Sequence, residues 1–253
     1  MSELVAIAVR GSSLEIGLTR PDKKNAITGA MYAAMAEALL SAETDRGIRS
    51  ILFYGQGAGF CSGNDLQDFL SAPMDATSPV LAFLAAISTT SKVMIAAIQG
   101  PCVGIGATLL LHCDHVAAAP SASLQFSFVR MALVPEAGSS LLLPRRVGHL
   151  KAAELLLLGD PVPAAEALRL GLVSQVTAEG AQIDAARAFA NRLDGLPPEA
   201  LRLTKQLLLS DKDTVASRID EEVAVFSRQL KSPEFREAVA AFLQKRPPNF
   251  GKA

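Results

Sequence analysis

Twice in the first 110 residues a short apolar run hands over to a glycine-rich loop and then to a helix-forming segment. Ser50-Ile-Leu-Phe-Tyr54 runs into Gly55-Gln-Gly-Ala-Gly-Phe-Cys-Ser-Gly63, and Lys92-Val-Met-Ile-Ala-Ala-Ile98 runs into Gly100-Pro-Cys-Val-Gly-Ile-Gly106. Runs this short and this apolar read as buried strands, and strands alternating with helices specify an α/β architecture with parallel pairing. Around these units, Leu4–Arg10 and Ser13–Thr19 form a hairpin about Gly11-Ser12, and Thr28 caps a helix through Ser41. Gly100–Gly106 reads as a turn, Ala107–Cys113 as a buried helix and His115–Ala118 as the next strand. Beyond Gly195 every segment reads as helix: one opened by Pro197-Pro198 and ending near Ser210, an amphipathic Thr214–Leu230, and a last one to Lys245 capped by Ser232. The expected organisation is an α/β core over residues 1–195 and a helical packing or assembly region over 196–253.

Composition narrows the function. Half the residues are apolar, 19% are charged and the net charge is −1 with no Lys/Arg run, so nucleic-acid binding is not expected. The most apolar region, Val93 to Ala119, is broken by Gln99, Gly100, Pro101, His112 and Asp114, and the N-terminus lacks a basic segment before its apolar run. Neither a membrane span nor a signal peptide is expected, and the chain reads as soluble. Three unpatterned cysteines and three scattered histidines offer no metal spacing, so no metal is expected and the thiols suit a reducing cytoplasm.

The chemistry concentrates in two places. Glycine at the strand-to-helix junctions lets backbone approach a ligand and leaves N–H groups unpaired. Two such groups converging form an oxyanion hole; ordinary tight turns are the other reading. A dinucleotide site fits poorly, since Gly104-Ile-Gly106 lacks the third glycine and Phe126 stands about where the ribose-binding acid belongs. The second place is Leu133-Val-Pro-Glu-Ala-Gly-Ser-Ser140, where Glu136 is either a dipole-stabilised acid near a helix start or a general base facing an apolar cavity. No Gly-x-Ser-x-Gly elbow marks a serine hydrolase.

Taken together, these motifs resemble the crotonase, or enoyl-CoA hydratase/isomerase, superfamily. The resemblance runs from Arg20-Pro-Asp-Lys-Lys-Asn-Ala-Ile27 through Phe60–Leu66, Ile98–Gly106 and Leu133–Ser140 to Leu158-Gly-Asp160, Ala164–Val173 and Phe235–Phe250. It implies a spiral of ββα units with a C-terminal helical region, assembled as trimers or as hexamers built from trimers. It implies an acyl-CoA substrate with no separate cofactor. By position, the N–H groups of Ser62 and Ile105 are expected to hold the thioester oxygen. Lys24, Ala26, Gly63, Asn64, Asp65 and Leu66 are expected to line the CoA path, with Phe242 and Lys245 touching CoA from the tail, their own or that of another subunit.

The resemblance also separates branches. Hydratases carry two glutamates, at the positions occupied here by Thr108 and Phe128. Syn-hydration needs two acid/base groups around a water, so a Thr and a Phe disable it. Glu136 instead stands where Δ3,Δ2-enoyl-CoA isomerases carry their single base, with Phe128 expected in an apolar wall. That implies a role in fatty-acid β-oxidation. A hydratase or another crotonase-type acyl-CoA enzyme, such as a dienoyl-CoA isomerase or a ring-modifying isomerase, is the nearest alternative, and a non-catalytic acyl-CoA-binding protein the alternative of another class. The floor of the acyl pocket is expected from Met74–Leu84 and the helix after Ser139. The closing Gly-Lys-Ala is not a peroxisomal tripeptide, which leaves a cytoplasmic location as the expectation.

Overall fold

A computed structural model describes residues 4–71, 77–209 and 212–252. The hairpin forms as read: β1 (Val5–Arg10) pairs antiparallel with β2 (Ser13–Leu18). Helix α1 (Gly29–Thr44) follows, capped by the Thr28 hydroxyl accepting from the Met31 N–H. Then come β3 (Ser50–Gly55), α2 (Leu66–Ser71), α3 (Pro79–Thr89), β4 (Val93–Ile98), β5 (Pro101–Val103), α4 (Ile105–Thr108), β6 (His115–Ala118) and β7 (Ser123–Gln125). The rest is α5 (Ser139–Val147), α6 (His149–Leu158), β8 (Val162–Pro163), α7 (Ala164–Arg169), β9 (Gln175–Val176) and α8 (Gln182–Asp194), then α9 (Pro198–Leu208), α10 (Lys212–Gln229) and α11 (Pro233–Leu243).

Two sheets organise the chain. The larger runs β1-β2-β3-β4-β6-β9 and is parallel from β2 onward; the smaller runs β5-β7-β8. The chain visits the large sheet, then the small one, then a helix, and repeats: β4-β5-α4, then β6-β7 and on to α5. The same path starts at β3, where Cys61 bridges in parallel to Cys102 of β5 before α2. This is the expected spiral of ββα units.

The residues explain the layering. Ile51, Leu52, Phe53 and Met94 to Ile98 are almost wholly buried, as central strands covered on both faces must be. Helices α1 and α3 cover one face, with Met31, Tyr32, Met35, Leu39, Phe83 and Leu84 in the core; α8 covers the other through Ala186, Ala190 and Leu193. Helix α10 joins the main core through Val215, Ile219 and Phe226, whereas α11 packs Phe235, Ala238 and Val239 against Ala132. No helix among the described residues is long and apolar enough to cross a membrane.

Three local readings are corrected. Gly100–Gly106 is not only a turn, because Pro101–Val103 pairs with Ser123–Gln125 as a strand. The buried helix after it is a four-residue α4 tightening into a 3₁₀ turn over Leu109–His112. The last helix ends at Leu243, with Lys245 in a left-handed conformation beyond it. Strand β5 takes its hydrogen bonds from distant chain, which local sequence does not reveal, whereas the 3₁₀ turn and the end of α11 close on carbonyls a few residues back.

Candidate active site

The spiral brings its two glycine-rich junctions side by side. The Cys61 N–H donates to the Pro101 carbonyl at 3.1 Å, and the Val103 N–H donates to the Cys61 carbonyl at 2.9 Å. Gly106 permits the contact: a Cβ there would sit 2.8 Å from both the Cβ and the carbonyl oxygen of Cys61. Asn64 and Ile105 therefore lie each three residues past the paired Cys61 and Cys102.

At this junction one expectation is corrected. The Ser62 N–H is not open to a ligand, because it donates to the Lys24 carbonyl at 3.0 Å. Ile27 donates to the Gly63 carbonyl and Asp65 donates to the Ile27 carbonyl, each at 2.9 Å, so the chain alternates and leaves out Asn64. Among the described residues, the N–H groups of Asn64 and Ile105 have no hydrogen-bond acceptor. The orphan pair is thus Asn64 and Ile105. Which of the N–H groups along this loop is occupied depends on backbone rotation, and no residue type signals it.

The expected CoA-lining residues do come together. Lys24, Ala26, Gly63 and Asp65 are knitted by the bonds above and by Arg20, whose Nη1 donates to the Ala26 carbonyl at 3.1 Å and to Asp65 Oδ2 at 2.7 Å, and Leu66 opens α2 directly after them. Burial pushes the Asp65 carboxyl up, but Arg20 and the amides of Asp68 and Gln67 outweigh it and hold it below the usual range. Asp65 is therefore a brace rather than a free ligand. Buried Asn25 adds a second brace, its amide donating to the carbonyls of Gln56 and Gly59. Asn64 is fixed by Tyr32 of α1, whose hydroxyl donates to Asn64 Oδ1 at 2.5 Å.

Glu136 is buried, at 9% exposure, in the turn leading into α5. Thr108 of α4, fully buried, donates its hydroxyl to Glu136 Oε1 at 2.5 Å. Burial pushes the Glu136 carboxyl from its ordinary 4.5 up to about 8; the Thr108 bond pulls it down, and the charge of Glu222 adds to the rise. The Glu136 charge in turn helps raise the Tyr32 hydroxyl and the Cys61 thiol, after burial, which places all three in one electrostatic environment.

The turn itself is gripped from both sides. Ala137 and Gly138 are both left-handed, at φ 58° and 71°. The His112 Nε2 lies 2.8 Å from the Ala137 carbonyl, which can only accept, so that nitrogen carries the hydrogen. Burial lowers the His112 pKa to about 4, so the ring is neutral at pH 7. Opposite, Glu222 of α10 accepts from the Gly138 N–H at 2.7 Å and the Ser140 N–H at 2.9 Å. Thr108, His112 and Glu222 were absent from the expected functional set. A signal for Glu222 existed: it lies on the apolar stripe Val215, Ile219, Glu222, Phe226, where a surface acid does not belong.

Phe128 is buried in the main core, at the start of the 3₁₀ turn Val129–Met131. Phe242 and Lys245 are exposed, and no hydrogen bond among the described residues ties them to the Glu136 region. Residues 72–76, within the expected pocket floor, lie outside the described residues. A cavity of about 400 Å³ is lined by Ile87, His112, Leu142, Arg145, Lys205 and others; it includes the helix after Ser139, expected in the pocket floor, but not Glu136 or the expected CoA-lining residues.

Residues 9–253 match the family model described as enoyl-CoA hydratase/isomerase. The chain belongs to this family. Among its relatives, the 1,2-epoxyphenylacetyl-CoA isomerase of Escherichia coli K12 is 34% identical over 99% of both chains. Enoyl-CoA delta isomerase 2 of Rattus norvegicus is 33% identical over 97% of this chain and 65% of its own length. The crystal structure of an enoyl-CoA hydratase/isomerase from Pseudoalteromonas atlantica T6c superimposes with a TM-score of 0.94 at 38% identity, covering 98% of this chain and 100% of that one. The crotonase fold and membership of this enzyme family follow.

Proposed function

We propose that this family member is a Δ3,Δ2-enoyl-CoA isomerase, moving a double bond from 3-enoyl-CoA into conjugation with the thioester. The observation that carries the reading is a buried acid, Glu136, bonded to the Thr108 hydroxyl at the position where a hydratase needs its first glutamate. One base suffices for the reaction. Ionised Glu136 removes a C2 proton, acidified by the thioester and by the β,γ double bond. The electron pair moves toward the thioester oxygen, where the N–H groups of Asn64 and Ile105 offer two donors. The same carboxylic acid then delivers its proton to C4, so no atom is gained or lost.

The geometry supports this assignment of roles within the carboxylate. Thr108 occupies Oε1, leaving Oε2 to carry the proton between C2 and C4. A carboxyl raised to about 8 is a far stronger base than an exposed glutamate, once ionised, and matches its task better near neutral pH. Exposed Leu150, Leu157 and Leu158 on α6 and Phe242 and Leu243 on α11 support assembly into trimers or hexamers, which would also bring Phe242 and Lys245 to a neighbour's CoA.

The test gives purified protein a 3-enoyl-CoA and, separately, a 2-enoyl-CoA, and follows conjugated-thioester absorbance. Absorbance rising with the first, and lost in Glu136→Gln with CoA-ester binding retained, supports the isomerase. Absorbance falling with the second means hydration, and refutes it. Absorbance unchanged in both wild type and Glu136→Gln, with CoA esters bound by each, would point to binding without catalysis.

A further inference from the structure

The site contains a second buried acid that the one-base reaction does not use. Glu222 is 6% exposed and reaches the Glu136 turn from α10, 84 residues beyond its partner Gly138. Its two oxygens are each occupied by a different backbone N–H, Gly138 on Oε2 and Ser140 on Oε1. That arrangement suits a carboxylate, because a protonated oxygen is a poor acceptor and would leave one buried N–H unpaired. The turn it holds needs holding. Ala137 is left-handed with a Cβ, a conformation that persists only where its surroundings enforce it.

We propose that Glu222 is a positioning residue for Glu136: its carboxylate clamps the turn that carries Glu136 and sets a second negative charge beside it. The inference rests on the reading of Glu136 as the base. The clamp fixes where the base sits, and the like charge makes it reluctant to ionise and eager to take the C2 proton. Few other ionisable groups share the space. Tyr32 from α1 and Cys61 from the first junction are buried and neutral, and His112 behind the turn is neutral at pH 7. Helix α3, packed on α10, has no ionisable side chain, and the Arg145 and Arg146 of α5 lie in its last turn. On α10 itself, Arg218 pairs with Glu221 at 3.1 Å. Burial raises Glu222 as well, while the Ser140 and Gly138 donors and Arg218 oppose the rise.

The experiment compares wild type, Glu222→Gln and Glu222→Asp by two readouts. One is the kcat and KM pH profile with a 3-enoyl-CoA. The other is an infrared titration of the Glu136 carboxyl without substrate, assigned by its loss in Glu136→Gln. In Glu222→Gln the Glu136 midpoint should fall by about one pH unit, and kcat by about tenfold with KM nearly unchanged. Glu222→Asp, charged but shorter, should keep the midpoint and lose turnover. An unchanged midpoint with a mere loss of stability would overturn the proposal and leave Glu222 a structural residue. A moved midpoint in a protein that isomerises no 3-enoyl-CoA would instead overturn the isomerase reading alone. Should Glu222→Gln fail to fold, the wild-type amide signals of Gly138 and Ser140 decide: one shared titration supports the clamp, and indifference to pH overturns it.

Discussion

Replacing Glu136 with Gln should stabilise the protein at high pH, and the size of the effect follows from the site. The carboxyl titrates near 8 in the folded chain against an ordinary 4.5, so between those values the folded state holds a proton that the unfolded state has released. Stability then falls as pH rises through that window, at about 1.4 kcal/mol per unit for one proton. Over the full window the wild type loses on the order of 5 kcal/mol, a large share of the roughly 5–15 kcal/mol typical of a domain. The amide introduced by Glu136→Gln ionises nowhere, yet its oxygen can still accept from Thr108, so the substitution isolates the charge. Urea unfolding of both proteins at pH 5, 7 and 9, at equal protomer concentration, reads the difference. The two stabilities should nearly coincide at pH 5, separate in favour of the variant as pH rises towards about 8, and hold that gap at pH 9. Parallel curves would mean that Glu136 is not desolvated, and the argument for its basicity would fall with it.

Three other substitutions test named contacts. Thr108→Val removes a hydrogen bond that favours ionised Glu136, so the rise of kcat/KM with pH should move above 8 and turnover at pH 7 fall by about tenfold, read from the pH profile. Gly106→Ala drives a Cβ into the Cys61 backbone and should cost roughly 1–3 kcal/mol by thermal melting, with 3-enoyl-CoA turnover reduced more than stability because Ile105 is displaced. Lys205→Met breaks the pair in which Lys205 Nζ lies 2.7 Å from Asp114 Oδ2, and should destabilise by about 3 kcal/mol in urea, with Asp114→Asn in the same chain recovering part of it.

The fold was legible where a stretch of sequence satisfies itself locally. The apolar runs at Ser50–Tyr54 and Lys92–Ile98, the Gly11-Ser12 hairpin and the caps at Thr28 and Ser232 carry their own signals, and each forms as read. Strand β5 did not announce itself, because three residues following Gln-Gly look like any turn until Ser123–Gln125 arrives to pair with them. At the candidate site, Glu136 and Ile105 are expected from motif position, whereas Ser62 was one of several N–H groups on a single loop. Its bond to the Lys24 carbonyl is a matter of tertiary geometry. Glu222 was hidden differently. Its partners are the amides of Gly138 and Ser140, with the Ser140 side chain beside them, and a backbone amide has no residue identity to match.

The buried charges themselves separate structure from chemistry. Among the described residues, five charged side chains are buried: Glu15, Lys92, Glu136, Lys205 and Glu222. Three are compensated in the way stability demands. Glu15 takes Arg187 at 2.8 Å and Arg10 at 3.2 Å, Lys205 takes Asp114, and Lys92 donates to the carbonyls of Asp45 and Ile48. Glu136 and Glu222 have no cation at ion-pair distance among the described residues; the charge of Glu222 makes Glu136 harder to ionise, and Glu222 itself is held by backbone amides. A buried acid without a counter-ion lowers stability above its unfolded pKa, and nothing in the packing requires one at position 136, where Gln would satisfy Thr108 equally well. Ala137 in the same turn is left-handed, and in the two glycine-rich junctions the N–H groups of Asn64 and Ile105 have no acceptor among the described residues. Uncompensated charge, enforced backbone and unpaired donors are individually costly, and the proton-handling role proposed for Glu136 gives them one common purpose.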